Sequence, residues 1–84
     1  MQFKVVIRKK TQRNLEKIDA KYRLKVLAAF VELSNNPYVG KKLKGEYEGQ
    51  WSYSIWPFRI IYQIKNKELI VLIIRIGHRQ NVYK

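Results

Sequence analysis

The chain has 84 residues, contains no cysteine, and carries 18 Lys and Arg against six Asp and Glu, which gives a net charge of +12. This length fits one small domain over residues 1–84, and the missing cysteine excludes disulfides and zinc–thiolate sites. One histidine and scattered carboxylates form no metal-site pattern, so we expect no metal and no other cofactor. We see no signal peptide and no apolar run of the ~18 residues that a membrane span needs, so we expect a cytoplasmic protein without membrane contacts.

The charge itself indicates a class of partner. A net charge of +12 on so short a chain exceeds what solubility requires. Basic proteins of this size commonly bind nucleic acid or an acidic protein. The alternative is an ordinary solvated surface without a dedicated partner.

The first part of the chain predicts one strand followed by two helices. Residues 3–7 place apolar side chains at alternate positions, which indicates a strand. From Thr11 the apolar residues follow a helical period, and the second helix should end near residues 35–36, because Pro37 disfavours helix in the residue before it. The stripe expected to pack this second helix onto a sheet comprises Leu24, Leu27, Ala28 and Val31, with Phe30 and Leu33 beside it.

The second part predicts a glycine-containing loop and three strands. The loop covers residues 37–49, and the strands cover residues 50–56, 58–65 and 68–76. Pro57 marks the first turn between strands, and Asn66 with Lys67 fits a two-residue hairpin turn. Together these elements predict an α+β fold of order β-α-α-β-β-β, with two helices packed on one face of a mostly antiparallel four-stranded sheet.

The hairpin predicts a register and therefore two sheet faces. If Lys65 lies opposite Glu68, then Ile61 lies opposite Leu72 and Arg59 opposite Ile74, and opposed residues share a face. The face under the helices would hold Phe58, Ile60, Tyr62, Ile64, Leu69, Val71 and Ile73. The other face would hold Arg59 among Ile61, Ile70, Leu72 and Ile74, with Ser52 and Ser54 on the neighbouring strand.

Arg59 is the first candidate functional residue. A half-buried guanidinium without an anionic partner is costly. The partner would be an anionic ligand or, if Arg59 is only structural, Glu46 or Glu48 in the preceding loop. The tail beyond the last strand adds Arg79 and Tyr83, where arginine can stabilise phosphate charge and tyrosine can stack on a base.

Several short segments together resemble the RelE/ParE superfamily of bacterial and archaeal toxins. Phe58-Arg59-Ile60-Ile61-Tyr62 is similar to the family's YR-apolar-apolar-Y strand, and Leu43-Lys44-Gly45 resembles its Leu-basic-Gly loop. Gly49-Gln50-Trp51-Ser52 resembles the Gly-x-Trp-Ser segment of the YoeB branch. Gly77-His78-Arg79 and Val82-Tyr83 are similar to the closing Gly-x-Arg and Val-Tyr. The resemblance covers nearly the whole chain, and the predicted element order is that of the RelE-like fold.

The resemblance implies a toxin of a type II toxin–antitoxin pair. In the RelE branch this means a ribosome-dependent endoribonuclease, an mRNA interferase that cleaves mRNA in the ribosomal A site. Arg59, Arg79 and Tyr83 match the residues to which the family assigns catalysis. RelE itself has lysines where this chain has Ser52 and Ser54, so the resemblance does not identify the general base and acid.

The remaining candidates would bind RNA rather than react with it. Lys41, Lys42 and Lys44 form a basic cluster suited to phosphates, although they could equally be solvated loop residues. His78 has the side chain best suited to proton transfer near neutral pH. In an extended segment, however, His78 and Arg79 point in opposite directions, which favours a structural role for the histidine.

Two other functions fit the same resemblance. A ParE-like protein would inhibit DNA gyrase by binding alone, and a degenerate toxin would only regulate its own operon. In each case we expect an acidic antitoxin as partner, attracted by the charge of +12. For the ribonuclease, the antitoxin would cover the Arg59 face or displace residues 78–84, thereby blocking the ribosome and mRNA.

Overall fold

The computed structural model describes residues 2–78. Two α-helices pack on one face of a five-stranded sheet with strand order β1-β5-β4-β3-β2. The elements are β1 Lys4–Ile7, α1 Lys9–Glu16, α2 Ala20–Asn35, β2 Lys41–Lys42, β3 Trp51–Ile55, β4 Phe58–Lys65 and β5 Ile70–His78. Short 3₁₀ turns cover Pro37–Val39 and Gly45–Tyr47.

The predicted α+β class is confirmed, and the strand count needs one correction. The extra strand is β2, which lies within the segment expected to be a loop and pairs antiparallel with β3. Strand β1 pairs with β5 in parallel, while the β3–β4 and β4–β5 pairs are antiparallel. Strand β5 therefore lies between two neighbours, an interior position that is consistent with its largely apolar sequence.

The core lies between the helices and the sheet and is centred on Tyr62. Its buried residues are Ile18, Val26, Ala29, Phe30, Leu33, Ile60, Tyr62, Val71, Ile73 and Ile76. The Tyr62 hydroxyl donates a 2.6 Å hydrogen bond to the carbonyl of Pro37, and burial raises the pKa of Tyr62 to about 12. Gly40 lies against this ring, and a Cβ there would overlap the Tyr62 hydroxyl and lie 2.8 Å from the Ser52 carbonyl oxygen. The segment leading into β2 is thus fitted directly against the core.

The stripe predicted to pack α2 against the sheet is wrong. Leu24 is 73% exposed, Leu27 42% and Val31 61%. The buried residues of α2 are instead Val26, Ala29, Phe30 and Leu33. Both sets repeat at i, i+3, i+4 and i+7, so helical spacing alone cannot distinguish them. The buried set contains the larger Phe30, which fills more of the space above the sheet.

The predicted register of the β4–β5 hairpin is also wrong. The turn spans residues 66–69 rather than two residues, and it is closed by a 3.3 Å hydrogen bond from the Leu69 amide to the Asn66 carbonyl. Lys65 consequently pairs with Ile70, and Arg59 pairs with Gly77 rather than Ile74. The predicted faces of β4 still hold. From Tyr62 to Lys65 the register differs from the expected one by two residues, which leaves every side chain on its own face.

A β-bulge in β5 changes which residues face the helices. Tyr62 pairs with Ile73, whereas the preceding residue, Ile61, pairs with Arg75. Ile74 is thus the extra residue, and its carbonyl accepts a 2.6 Å hydrogen bond from the hydroxyl of Thr11, which is buried in α1. Beyond the bulge Ile76 enters the core, and Arg75 is exposed on the face away from the helices. Without the bulge, strict alternation would direct Arg75 under the helices.

We predict that Thr11→Val lowers the free energy of unfolding by about 1–3 kcal/mol, because it leaves the Ile74 carbonyl without its donor at nearly constant side-chain volume. Thr11→Ser retains the hydroxyl and is the matched control, which should lose clearly less. Denaturant unfolding followed by circular dichroism measures both. A Thr11→Val protein as stable as the wild type, or less destabilised than Thr11→Ser, would show that the hydrogen bond contributes less than the methyl group at this position.

Candidate functional site

The sheet face turned away from the helices, here called the open face, brings several of the candidate residues together. Cross-strand pairing places Lys41, Ser52, Ile61 and Arg75 in one row across four strands. A second row contains Ser54, Arg59 and Gly77. Opposed residues share a face, so Lys41, Arg59 and Arg75 are cations of the same surface.

Arg59 is half-buried near the start of β4, the central strand of the sheet. Its Nε donates a 3.3 Å hydrogen bond to the Ser54 hydroxyl, which orients the guanidinium across β3. Its partner on β5 is Gly77, which has no side chain. The Ser54 hydroxyl thus helps to position Arg59.

An exposed tryptophan lies beside Arg59, and the sequence analysis did not identify it. Trp56 is 65% exposed at the β3–β4 turn and, with Ser54, Phe58 and Arg59, lines a hollow of about 200 Å³. An indole beside a guanidinium can stack on a nucleobase. The available signal was a large aromatic residue directly before Pro57, at a position where turns are usually polar.

The three loop lysines do not form a single cluster. Lys41 pairs with Ser52 and lies on the open face. Lys42 pairs with Trp51, whose ring stacks against Tyr62, so this lysine belongs to the helix-covered side. Lys44 is exposed immediately before the Gly45–Tyr47 turn. Of the two lysines in β2, only Lys41 shares a face with Arg59.

His78 lies away from Arg59. It pairs with Phe58, and the two rings meet edge to face with their centroids 6.0 Å apart. The centroid of the Phe58 ring in turn lies 5.6 Å from that of Tyr22 in α2. His78 therefore belongs to the helix-covered side. Arg79 and Tyr83 lie outside the described residues.

A second hollow, here called the Arg75 cleft, opens next to Arg59 on the open face. It has a volume of about 180 Å³ and is lined by Arg8, Tyr47, Gln50, Ile61, Gln63, Ile74 and Arg75. Tyr47 and Gln50 come from the segment between β2 and β3, and Arg8 follows β1. The alternation of side chains along the sequence did not identify Arg75, because only the bulge places Arg75 on the open face.

Within residues 2–78, no group of three or more His, Cys, Asp or Glu side chains is placed to hold a metal ion. No helix in this range has both the length and the apolarity that crossing a bilayer requires.

Comparisons with known proteins agree with this architecture. Residues 5–83 match the family described as ParE toxin of the type II toxin–antitoxin system parDE. Toxin RelG of Mycobacterium tuberculosis is 33% identical over 75 residues, which cover 87% of this chain and 86% of RelG. A chain of the M. tuberculosis toxin–antitoxin complex RelBE2 superposes with a TM-score of 0.87 at 31% identity, covering 94% of this chain and 100% of the other.

More distant structures share the fold. The archaeal RelE–RelB complex from Pyrococcus horikoshii contains a chain with a TM-score of 0.83 at 20% identity, covering 98% of this chain and 100% of the other. Isolated Escherichia coli RelE gives 0.79 at 18% identity, covering 93% of this chain and 84% of RelE. The protein belongs to the RelE/ParE superfamily of toxins from type II toxin–antitoxin systems.

Proposed function

We propose that this toxin is a ribosome-dependent endoribonuclease that cleaves mRNA in the cytoplasm without a metal ion. The observation that carries the proposal is the position of Arg59, which is held by Ser54 among other cations of the open face. A fixed guanidinium on a surface with other cations suits the negative charge of a phosphate. The relatives named RelG and RelE support the same class.

The proposed reaction needs no nucleophile from the protein. The 2′-hydroxyl of the substrate loses a proton as its oxygen attacks the adjacent phosphorus. The bond from phosphorus to the 5′-oxygen breaks, and that oxygen takes up a proton. The products are a 2′,3′-cyclic phosphate and a 5′-hydroxyl. The protein must align the attack and stabilise charge on the phosphorane.

The residues divide these tasks. Arg59 stabilises the phosphorane. By resemblance to the family, Arg79 shares this role, and Tyr83 stacks on or activates the nucleotide. Lys41 shares the open face with Arg59, separated from it by Ser52 and Ser54 of β3, the positions at which RelE carries lysines. We assign to Lys41 the phosphate contact that those lysines would make, with its ammonium group able to donate a proton to the departing 5′-oxygen.

Gyrase inhibition is the second candidate, and one finding favours it. The matching family is described as the ParE toxin of parDE systems. In that case the protein would bind gyrase without cutting nucleic acid, and Arg59 would contact the partner rather than a reacting phosphate. A toxin that only regulates its own operon would leave both mRNA and DNA intact.

We also propose an acidic antitoxin as partner and assign it a different docking surface from the one expected. Ile61, which the predicted faces place beside Arg59 where the antitoxin was expected to bind, is only 1% exposed. The apolar surface lies instead on α2, where Leu24, Leu27, Ala28 and Val31 form an exposed stripe. The exposed Lys21 and Lys25 lie on the same helix. An amphipathic helix with acidic flanks complements such a stripe, whereas a second copy of this basic chain would be repelled.

Expression of the chain alone should stop translation and cut mRNA while DNA stays intact. Arg59→Ala should lower cleavage by ~10²-fold or more, because a preorganised positive charge is lost at the phosphate. Arg13→Ala, which removes an exposed arginine from α1, is the matched control and should cleave normally. Primer extension on cellular mRNA measures the cuts. Uncut mRNA with gyrase-dependent DNA breaks would instead support the ParE-like function.

The two lysines of β2 should differ in how they affect binding to single-stranded RNA. Lys41→Ala should reduce the slope of log affinity against log salt by about 0.7, the value for one phosphate contact on a single strand. Lys42→Ala removes the same charge from the helix-covered side and should leave the slope unchanged. Fluorescence anisotropy with RNA that lacks the reacting 2′-hydroxyl measures both slopes. Equal slopes for the two variants would contradict the assignment of Lys41.

Replacing Leu24 and Val31 together by serine should weaken antitoxin binding by about 10-fold or more, since each side chain contributes apolar burial. Val39→Ser is a control outside the stripe, because Val39 is apolar and 43% exposed. Calorimetric titration with the antitoxin measures the affinities. If the double variant binds as tightly as the control, the antitoxin does not use α2.

A further inference from the structure

A third hollow, here called the corner hollow, opens on the helix-covered side of the sheet. It lies between the α1–α2 corner, residues 14–22, and the neighbouring start of β4 and end of β5. Its volume is about 440 Å³, against about 180 Å³ for the Arg75 cleft. A hollow of this size that combines an apolar lining with a few polar groups suits a small organic ligand.

The floor of the corner hollow suits an aromatic ring. Ile18 and Ile76, which are 8% and 5% exposed, contribute aliphatic surface. Tyr22 and Phe58 form an aromatic wall, with ring centroids 5.6 Å apart and an angle of 74° between the ring planes. Because these two rings meet edge to face, a third ring that enters the hollow can pack against either of them in a favourable geometry.

The rim carries one charge of each sign. Among the described residues that line the hollow, Lys17 is the only cation and Asp19 the only carboxylate. Asp19 is the N-cap of α2, where its carboxylate accepts a 3.4 Å hydrogen bond from the Lys21 amide. Asn14 adds a carboxamide that can donate and accept. The exposed rim therefore offers partners for an ammonium group and for a carboxylate.

The charges of the rim and of the whole chain narrow the class of ligand. The net charge of +12 repels a cationic ligand, although Asp19 attracts it locally. A purely anionic ligand is attracted by the chain but meets the carboxylate of Asp19 at the rim. A zwitterion has no net charge and can pair with Lys17 and Asp19 together. An aromatic α-amino acid combines such a head group with a ring.

We propose that the corner hollow binds a free aromatic α-amino acid. Its ring packs against Tyr22 and Phe58, its ammonium group pairs with Asp19, and its carboxylate pairs with Lys17. This site is separate from the open face and does not depend on the proposed ribonuclease function.

The corner hollow adjoins Arg59 from the other side of the sheet. Phe58 precedes Arg59 in the chain, and Gly77, which also lines the hollow, pairs with Arg59 across the ladder. A bound amino acid would therefore lie against two residues that adjoin the proposed phosphate-binding arginine.

NMR titration of the ¹⁵N-labelled full chain with L-phenylalanine tests the proposal, and the amide signal of Gly77 should shift. L-Alanine has the same head group without the ring and should bind about 10-fold more weakly or worse, because the apolar burial is lost. N-acetyl-L-phenylalanine lacks the ammonium group and L-phenylalaninamide lacks the carboxylate. Each should bind about threefold more weakly than L-phenylalanine, as expected for one exposed ion pair. The titrations are made at about pH 6, where the amine of the amide is protonated.

Two charge variants assign the head group. Asp19→Asn removes the charge but keeps a good helix cap. It should weaken binding of L-phenylalanine and of the amide about threefold, and leave the N-acetyl compound unaffected. Lys17→Met should weaken binding of L-phenylalanine and of the N-acetyl compound, and leave the amide unaffected. Lys10→Met makes the same change at another exposed lysine of α1 and should alter none of the affinities.

This crossed pattern of losses supports the site and both ion pairs. L-Phenylalanine that binds no better than L-alanine overturns the proposal. Equal affinities for L-phenylalanine and its two blocked forms also overturn it, because the hollow would then accept a ring without reading the zwitterion. Thermal unfolding checks each variant, and the ligand series on the wild-type protein decides if a variant does not fold. None of these measurements involves RNA, so this proposal and the ribonuclease function stand or fail separately.

Discussion

The hydrogen bond from the Thr11 hydroxyl to the Ile74 carbonyl holds the bulge of β5, where the alternation of side chains between the two sheet faces shifts by one residue. On one side of it Val71 and Ile73 lie in the core, and on the other side Ile76 does. The same change exposes Arg75 on the open face and aligns Gly77 with Arg59. One buried donor on α1 thus stabilises the bulge on which both the packing of β5 and the placement of Arg75 depend. A helix on one side of the sheet supports the proposed site on the other.

Strong periodicity made the fold class and the placement of Arg59 on the sheet predictable. The alternation along β4 assigned Ile60 and Tyr62 to the core and Arg59 to the opposite face, with Ser54 beside it, and the structure agrees. Both errors in that hairpin arose from features that sequence patterns do not encode. The turn is longer than its residues indicated, and the bulge depends on a donor 63 residues away. Such a donor can be found only once the helix is docked.

The misassigned stripe on α2 has a different origin. The helix carries two sets of apolar residues at the same spacing, and tertiary packing buries only the set that includes Val26 and Phe30. A periodic pattern identifies a possible buried face, but it cannot decide between two. The Arg75 cleft was missed for a related reason, because Arg8, Tyr47 and Gln63 come from separate segments and meet only in the folded chain.

The two surfaces proposed for partners lie on opposite sides of the domain, with α2 above the sheet and the open face below it. A helix bound to the stripe of Leu24, Leu27, Ala28 and Val31 therefore leaves Arg59 accessible. The shortest dimension of the domain is 22 Å, and crossing a distance of that order takes about seven extended residues. An antitoxin that both grips α2 and blocks the open face needs a connector of at least this scale around a sheet edge. A shorter binding segment would form a complex in which the toxin remains active.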